Sequence, residues 1–211
     1  MGQVGKYKFY FRKSSFKKNL SNADILLKLI SYHKPRNFLE VGVLEGVTAR
    51  NVCELLSKIH INNFTYTGID LFGVDQLQNN KKEFTPVSNK FSNPLKYFYF
   101  KYILKLNPNS LDAVNHLLKK FNKSIELYRG YSHLILKKLN ISKYDFIFLD
   151  GGHSYETVKM DLSLILKNTK KNALILCDDY NVLHYGVWQA VNEIKDNYYF
   201  EDLGRFALIK T

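Results

Sequence analysis

Two short stretches of this chain place acids directly behind apolar runs. YDFIFL (144–149) leads into Asp150-Gly-Gly-His153, and ALILC (173–177) leads into Asp178-Asp179. If the two runs are neighbouring strands, three carboxylates meet at one edge of a sheet. Like charges a few ångström apart repel and push a carboxyl pKa up. A hard cation such as Mg²⁺ is their natural companion, which makes Asp150, Asp178 and Asp179 the candidate metal set. The plainer alternative is that one of them caps a helix and faces water. His153, three residues beyond Asp150, is placed to take a proton near neutral pH. His184 is the second choice as base, and the other four histidines have no comparable context.

A second constellation is Glu40-x-Gly42-x-x-x-Gly46, again behind an apolar run. The glycines permit a tight turn, and a helix beginning there offers free N–H groups to an anionic group. The spacing lacks the third glycine of the dinucleotide fingerprint, and taken alone it suits a structural turn equally well. Asp70, thirty positions after Glu40, closes the run FTYTGIDL, where an acid can accept hydrogen bonds from both hydroxyls of a ribose. Together Glu40 and Asp70 indicate a nucleoside-containing cofactor.

These residues need a frame. Ser21 can cap a helix with apolar positions at Ile25, Leu26, Leu29 and Ile30, ended by Pro35. The spacing then predicts a strand over 38–43, a helix over 48–60, strands over 64–71 and 124–129, and a helix over 132–139. A fully buried strand over 144–149 follows, then a helix over 155–166, a strand over 173–177 and a helix over 186–195. Two short β-like runs, 198–201 and 206–210, close the chain. Alternating strands and helices imply an α/β fold with a mostly parallel sheet, helices on both faces and an antiparallel edge strand from the tail. Residues 73–109 break the rhythm. They are polar, hold Pro86, Pro94 and Pro108, and include the aromatic run Tyr97-Phe98-Tyr99-Phe100, which suggests an ordered lid or partner surface.

The 211 residues suit one domain, and two distant cysteines, Cys53 and Cys177, exclude a disulfide framework or a cysteine zinc site. No apolar run is long enough to span a bilayer, and the N-terminus lacks a signal-like stretch, so a cytoplasmic protein is expected. The formal charge is +12, from 31 Lys+Arg against 19 Asp+Glu. It is uneven: residues 1–40 and 81–123 each hold nine basic and two acidic residues, and the remainder holds 13 against 15. The chain therefore divides into a basic arm (1–20) and a near-neutral domain (21–211) with a basic insertion. Arginine, the better residue for bidentate phosphate or guanine contacts, is scarce, five against 26 lysines, which argues against a nucleic-acid partner.

FLEVGVLEG (38–46), YTGIDLF (66–72), IELYRGYS (125–132), FIFLDGGHSYETVKMDL (146–162) and ALILCDDY (173–180) together resemble class I S-adenosylmethionine-dependent methyltransferases. DGGHSYE followed by DDY resembles more narrowly the metal-dependent small-molecule branch that includes macrolide and aminocoumarin sugar O-methyltransferases. The resemblance implies a Rossmann-like, doubly wound, seven-stranded sheet with a lid after strand two, and S-adenosylmethionine and Mg²⁺ as cofactors. It implies a hydroxyl of a small molecule, a sugar or nucleotide sugar foremost, as acceptor, and it is compatible with a homodimer or larger homo-oligomer. Glu40, Gly42 and Gly46 would hold the methionine part of the cofactor, Asp70 and Leu71 the ribose side, and Gly130 to Ser132 the adenine side. Asp150 would border the cofactor and bind the metal with Asp178 and Asp179; Asp150 and His153 are the catalytic candidates. Several relatives carry an acid where this chain has Gly152, so the base is reassigned to His153. The competing functions are a nucleic-acid ribose methyltransferase guided by the basic arm and a catalytically silent module that keeps the cofactor fold.

Overall fold

The computed structural model describes residues 20–73, 95, 98–107, 110–180 and 185–211. Helix α1 (Leu20–His33) is already helical at Leu20, so Ser21 lies inside it instead of at the expected N-cap. It stops where Pro35 bars its neighbour from the right-handed helical region, and Lys34 turns left-handed at φ 49. There follow β1 (Asn37–Val41), α2 (Val47–His60), β2 (Thr65–Asp70), a π-helical turn (Tyr99–Leu104), α3 (Leu111–Leu118), β3 (Ile125–Arg129) and α4 (Ser132–Leu136). Then come β4 (Phe146–Leu149), α5 (Tyr155–Asn168), β5 (Leu174–Cys177), α6 (Tyr185–Asn192), β6 (Tyr199–Leu203) and β7 (Phe206–Lys210).

The seven strands lie in the order β3-β2-β1-β4-β5-β7-β6. All run parallel except β7, which is antiparallel to both β5 and β6. This is the expected Rossmann-like sheet, with the tail pair as its antiparallel margin. Strand order reverses between β1 and β4, the switch point at which α/β sheets bind ligands beyond the strands' carboxyl ends.

The two-residue period of the strands divides the core. Phe38, Tyr66, Phe146, Phe148, Leu174 and Leu176 face α1, α2 and α3, while Leu39, Val41, Ile147, Leu149, Ile175 and Cys177 face α4, α5 and α6. Strands β4 and β5 are buried at every position, as their unbroken apolar runs require. Across the centre the rings of Tyr66 and Phe38 stack at 6.0 Å, and those of Phe38 and Phe146 at 5.2 Å. They sit in register on β2, β1 and β4, and each such pair adds about 0.5–1.5 kcal/mol beyond its buried area. That row packs the amino-terminal ends of the three strands together.

Most of the 73–109 lid segment and residues 1–19 of the basic arm lie outside the described residues. Of the aromatic run, Phe100 is buried and Phe98 is exposed, its ring 5.0 Å from that of the exposed Tyr102 just beyond the run. Both cysteines are free and buried. No helix among the described residues is long and apolar enough to cross a membrane.

Candidate active site

At the switch point the chain crosses itself. Gly42 takes φ 94, and a Cβ there would lie 2.0 Å from the carbonyl oxygen of Asp150. Gly46 takes φ 75 at the N-cap of α2, where a Cβ would meet Val114 Cγ1 at 2.9 Å. The glycine spacing is thus dictated by the chain's own packing, and it leaves the N-terminus of α2 beside the end of β1. Its N-cap residue, Gly46, has no side chain with which to cap α2, and a helix N-terminus suits an anionic group.

Glu40 is fully buried between β1 and α2. Its Oε2 accepts a 2.6 Å hydrogen bond from the Tyr66 hydroxyl, and among the described residues its Oε1 has no hydrogen-bond partner. Burial pushes its carboxyl up to about 8, against the pull of the Tyr66 hydrogen bond and with the help of the Asp70 charge.

Asp70 does more than the expected ribose role requires. Its Oδ2 accepts from the Leu44 N–H at 2.8 Å, and its Oδ1 accepts from the Phe72 N–H at 2.7 Å. Leu44 and Phe72 are non-glycine residues in the left-handed region, at φ 51 and φ 48. Such residues cost about 1–3 kcal/mol each and persist where their surroundings hold them. Asp70 is what holds them, tying the β1–α2 turn to the end of β2. Each of its oxygens keeps a second lone pair for a ribose hydroxyl. The Gly130 N–H donates to the Asp70 carbonyl at 3.0 Å, so the 130–132 segment, which opens α4 at Ser132, joins the same edge, as does Leu71.

The three acids expected at one edge are brought together. Asp150 continues β4, its N–H donating to the Val41 carbonyl at 2.8 Å, and Asp178 continues β5, its N–H donating to the Leu149 carbonyl at 2.8 Å. Desolvation, then the charges of Asp178, Asp179 and Glu40, push the Asp150 carboxyl well above the usual range. His153 Nε2 lies 3.2 Å from Asp179 Oδ2. Asp179 itself is left-handed at φ 58, and its N–H donates to Asp178 Oδ1 at 2.7 Å. Gly186 lets α6 close on this loop, since a Cβ there would lie 2.5 Å from the His153 carbonyl oxygen. His184 lies outside the described residues.

Two features were not in the sequence reading. The space that a side chain at Gly152 would need is filled by Thr157, whose Cγ2 would be 2.4 Å from a Cβ. The second is Arg205, in the turn between β6 and β7. Its Nε and Nη2 donate to the two carboxylate oxygens of Asp178, the latter at 2.7 Å, and its Nη2 is 2.8 Å from Asp179 Oδ1.

The residues present fit S-adenosylmethionine. Glu40 Oε1 is a buried acceptor for the amine, the α2 N-terminus suits the carboxylate, and Asp70 suits the ribose. They do not fit a divalent cation as arranged. Arg205 occupies the oxygens of Asp178 and one oxygen of Asp179, and among the described residues no three His, Cys, Asp or Glu side chains form a group that could hold a metal ion.

Comparison with known proteins agrees with the fold. No curated protein matches the sequence. The calicheamicin methyltransferase CalS11 superposes with a TM-score of 0.61 at 16% identity, over 97% of this chain and 82% of that one. Its apo structure, described as a TDP-rhamnose 3'-O-methyltransferase, gives 0.57 at 16%, over 92% and 84%. An O-methyltransferase from Bacillus cereus in complex with SAH gives 0.56 at 13%, over 96% and 84%. The family described as a methyltransferase domain matches residues 39–180, well over half of the chain and the stretch that spans every site residue on β1, β2, β4 and β5. With its sheet order, switch point and acid-edged strand ends now in place, the chain belongs to the methyltransferase-domain family, on the fold that S-adenosylmethionine-dependent O-methyltransferases share.

Proposed function

We propose that this protein transfers the methyl group of S-adenosylmethionine to a hydroxyl of a small molecule, and that the acceptor is a sugar or nucleotide sugar. The observation that carries the proposal is the adjacency of two sets at one switch point. Glu40, the α2 N-terminus and Asp70 form a cofactor half, and Asp150, Asp178, Asp179 and His153 form a proton-handling half. S-adenosylmethionine, when bound, supplies an electrophilic methyl on a sulfonium and one positive charge. The acidic edge complements that charge. His153, held beside Asp179 with its Nε2 3.2 Å from Oδ2, is set to take the acceptor's hydroxyl proton. The sugar class is supported by the fold shared with CalS11, described as acting on TDP-rhamnose.

The test is methyl transfer from radiolabelled S-adenosylmethionine to a panel of nucleotide sugars, free sugars, other small hydroxyl compounds and RNA, with wild-type protein and His153→Ala. Label should enter a nucleotide sugar or sugar, and His153→Ala should slow transfer about 10²- to 10⁴-fold, the usual worth of a general base. Label entering only RNA would replace the acceptor class, and an unaffected His153→Ala rate would remove the base.

A further inference from the structure

The acidic edge carries its own cation. Arg205 reaches it from the β6–β7 turn, next to Gly204 at φ 76. Its fork takes Asp178 through both oxygens, and Nη2 also reaches Asp179 Oδ1 at 2.8 Å. The second oxygen of Asp179 is 3.2 Å from His153 Nε2. All four oxygens of these two acids therefore face a guanidinium or an imidazole. The Asp178 side chain is only 2% exposed, and that of Arg205 is 24% exposed. A guanidinium cannot lose its proton in a protein, and its planar fork fits a carboxylate edge to edge. A hard divalent cation would need the same oxygens at about 2.0–2.1 Å, so the two cannot occupy the edge together.

We propose that Arg205 is the resident cation of this edge, standing where a divalent metal would otherwise bind. It neutralises Asp178 and Asp179, and through Asp179 it fixes the orientation of His153, so that the site works without a divalent metal. Arg205 is a positioning residue: it acts on the base through Asp179. This rests on the reading of the edge as the site of methyl transfer, but its test needs neither cofactor nor acceptor.

The probe is Mn²⁺, titrated at 0.15 M salt and followed by the EPR signal of the free ion, with wild-type protein, Arg205→Gln, Arg205→Lys and the double variant Arg205→Gln/Asp178→Asn. Wild-type protein should bind Mn²⁺ no tighter than millimolar. Arg205→Gln should bind one Mn²⁺ at least tenfold tighter and lose it again when Asp178→Asn is added. Arg205→Lys, which keeps a positive charge, should stay close to wild type. Thermal unfolding of each variant identifies any that fails to fold, and the wild-type titration decides without them: one Mn²⁺ held at micromolar concentration overturns the proposal. Equal affinity in wild type and folded Arg205→Gln also overturns it. Calorimetry with S-adenosylmethionine on the same wild-type protein reports separately on the proposed function, so a failure there is distinguishable from a failure at Arg205.

Discussion

Glu40 is a fully buried acid in the proposed cofactor half of the site, and its behaviour with pH is calculable. Its ordinary value of 4.5 is raised to about 8 by burial in the folded protein. Between those values the folded protein keeps a proton that the unfolded chain releases. Stability is therefore fully present below about pH 4.5, falls as pH rises, and levels off above about 8. The slope for one proton is about 1.4 kcal/mol per pH unit, and the whole displacement amounts to about 5 kcal/mol. Glu40→Gln isolates this contribution, because the amide is isosteric with the protonated acid and its oxygen still accepts from the Tyr66 hydroxyl. Urea unfolding at pH 5, 6, 7, 8 and 9, followed by fluorescence of the single tryptophan, Trp188, which packs against the α5–α6 side of the core, gives the two curves. Wild-type stability should fall relative to Glu40→Gln by about 1.4 kcal/mol per unit from pH 5 to 8, with no further divergence at pH 9. Parallel curves would refute the buried, protonated Glu40.

Two further outcomes test the site's geometry. In Asp70→Asn only one side-chain oxygen remains for the Leu44 and Phe72 N–H groups. Stability should fall by about 1–3 kcal/mol in chemical denaturation, and calorimetric affinity for S-adenosylmethionine should weaken at least tenfold. Gly152→Ala should cost about 1–3 kcal/mol through the clash with the Thr157 methyl, and Thr157→Ser, which removes that methyl but keeps the hydroxyl, should restore most of the loss in the double variant.

The strands were legible because their burial is written in the chain. FIFL and LILC admit no amphipathic helix of ordinary length, and the acids following them had to lie at the sheet's carboxyl edge. Glu40 and Asp70 were legible as acids at the strand ends for the same reason, and the structure adds that Asp70 pins two left-handed residues. Helix α3 has no place in the sequence reading, although Ser110, whose hydroxyl accepts from the Ala113 N–H, and the spacing of Leu111, Val114 and Leu118 mark it. It was absorbed into a segment characterised by charge. Arg205 was not legible, because its partners lie on β5 and the order β5-β7-β6 that brings the hairpin turn beside them follows from no local pattern. The available signal was faint: one of only five arginines, placed behind a glycine between the two closing strands. The Gly152 vacancy was visible in the sequence, but that Thr157 fills it depends on the Ser154 cap that sets the first turn of α5.

The central claim, that the switch point formed by β1, β2 and β4 binds S-adenosylmethionine, is tested most directly by isothermal titration of the wild-type protein with S-adenosylhomocysteine, the product that retains every cofactor group but the methyl. Saturable binding at one site per chain, weakened at least tenfold in Asp70→Asn, is the expected result. Absence of binding by folded wild-type protein, or binding that Asp70→Asn leaves unchanged, would contradict it.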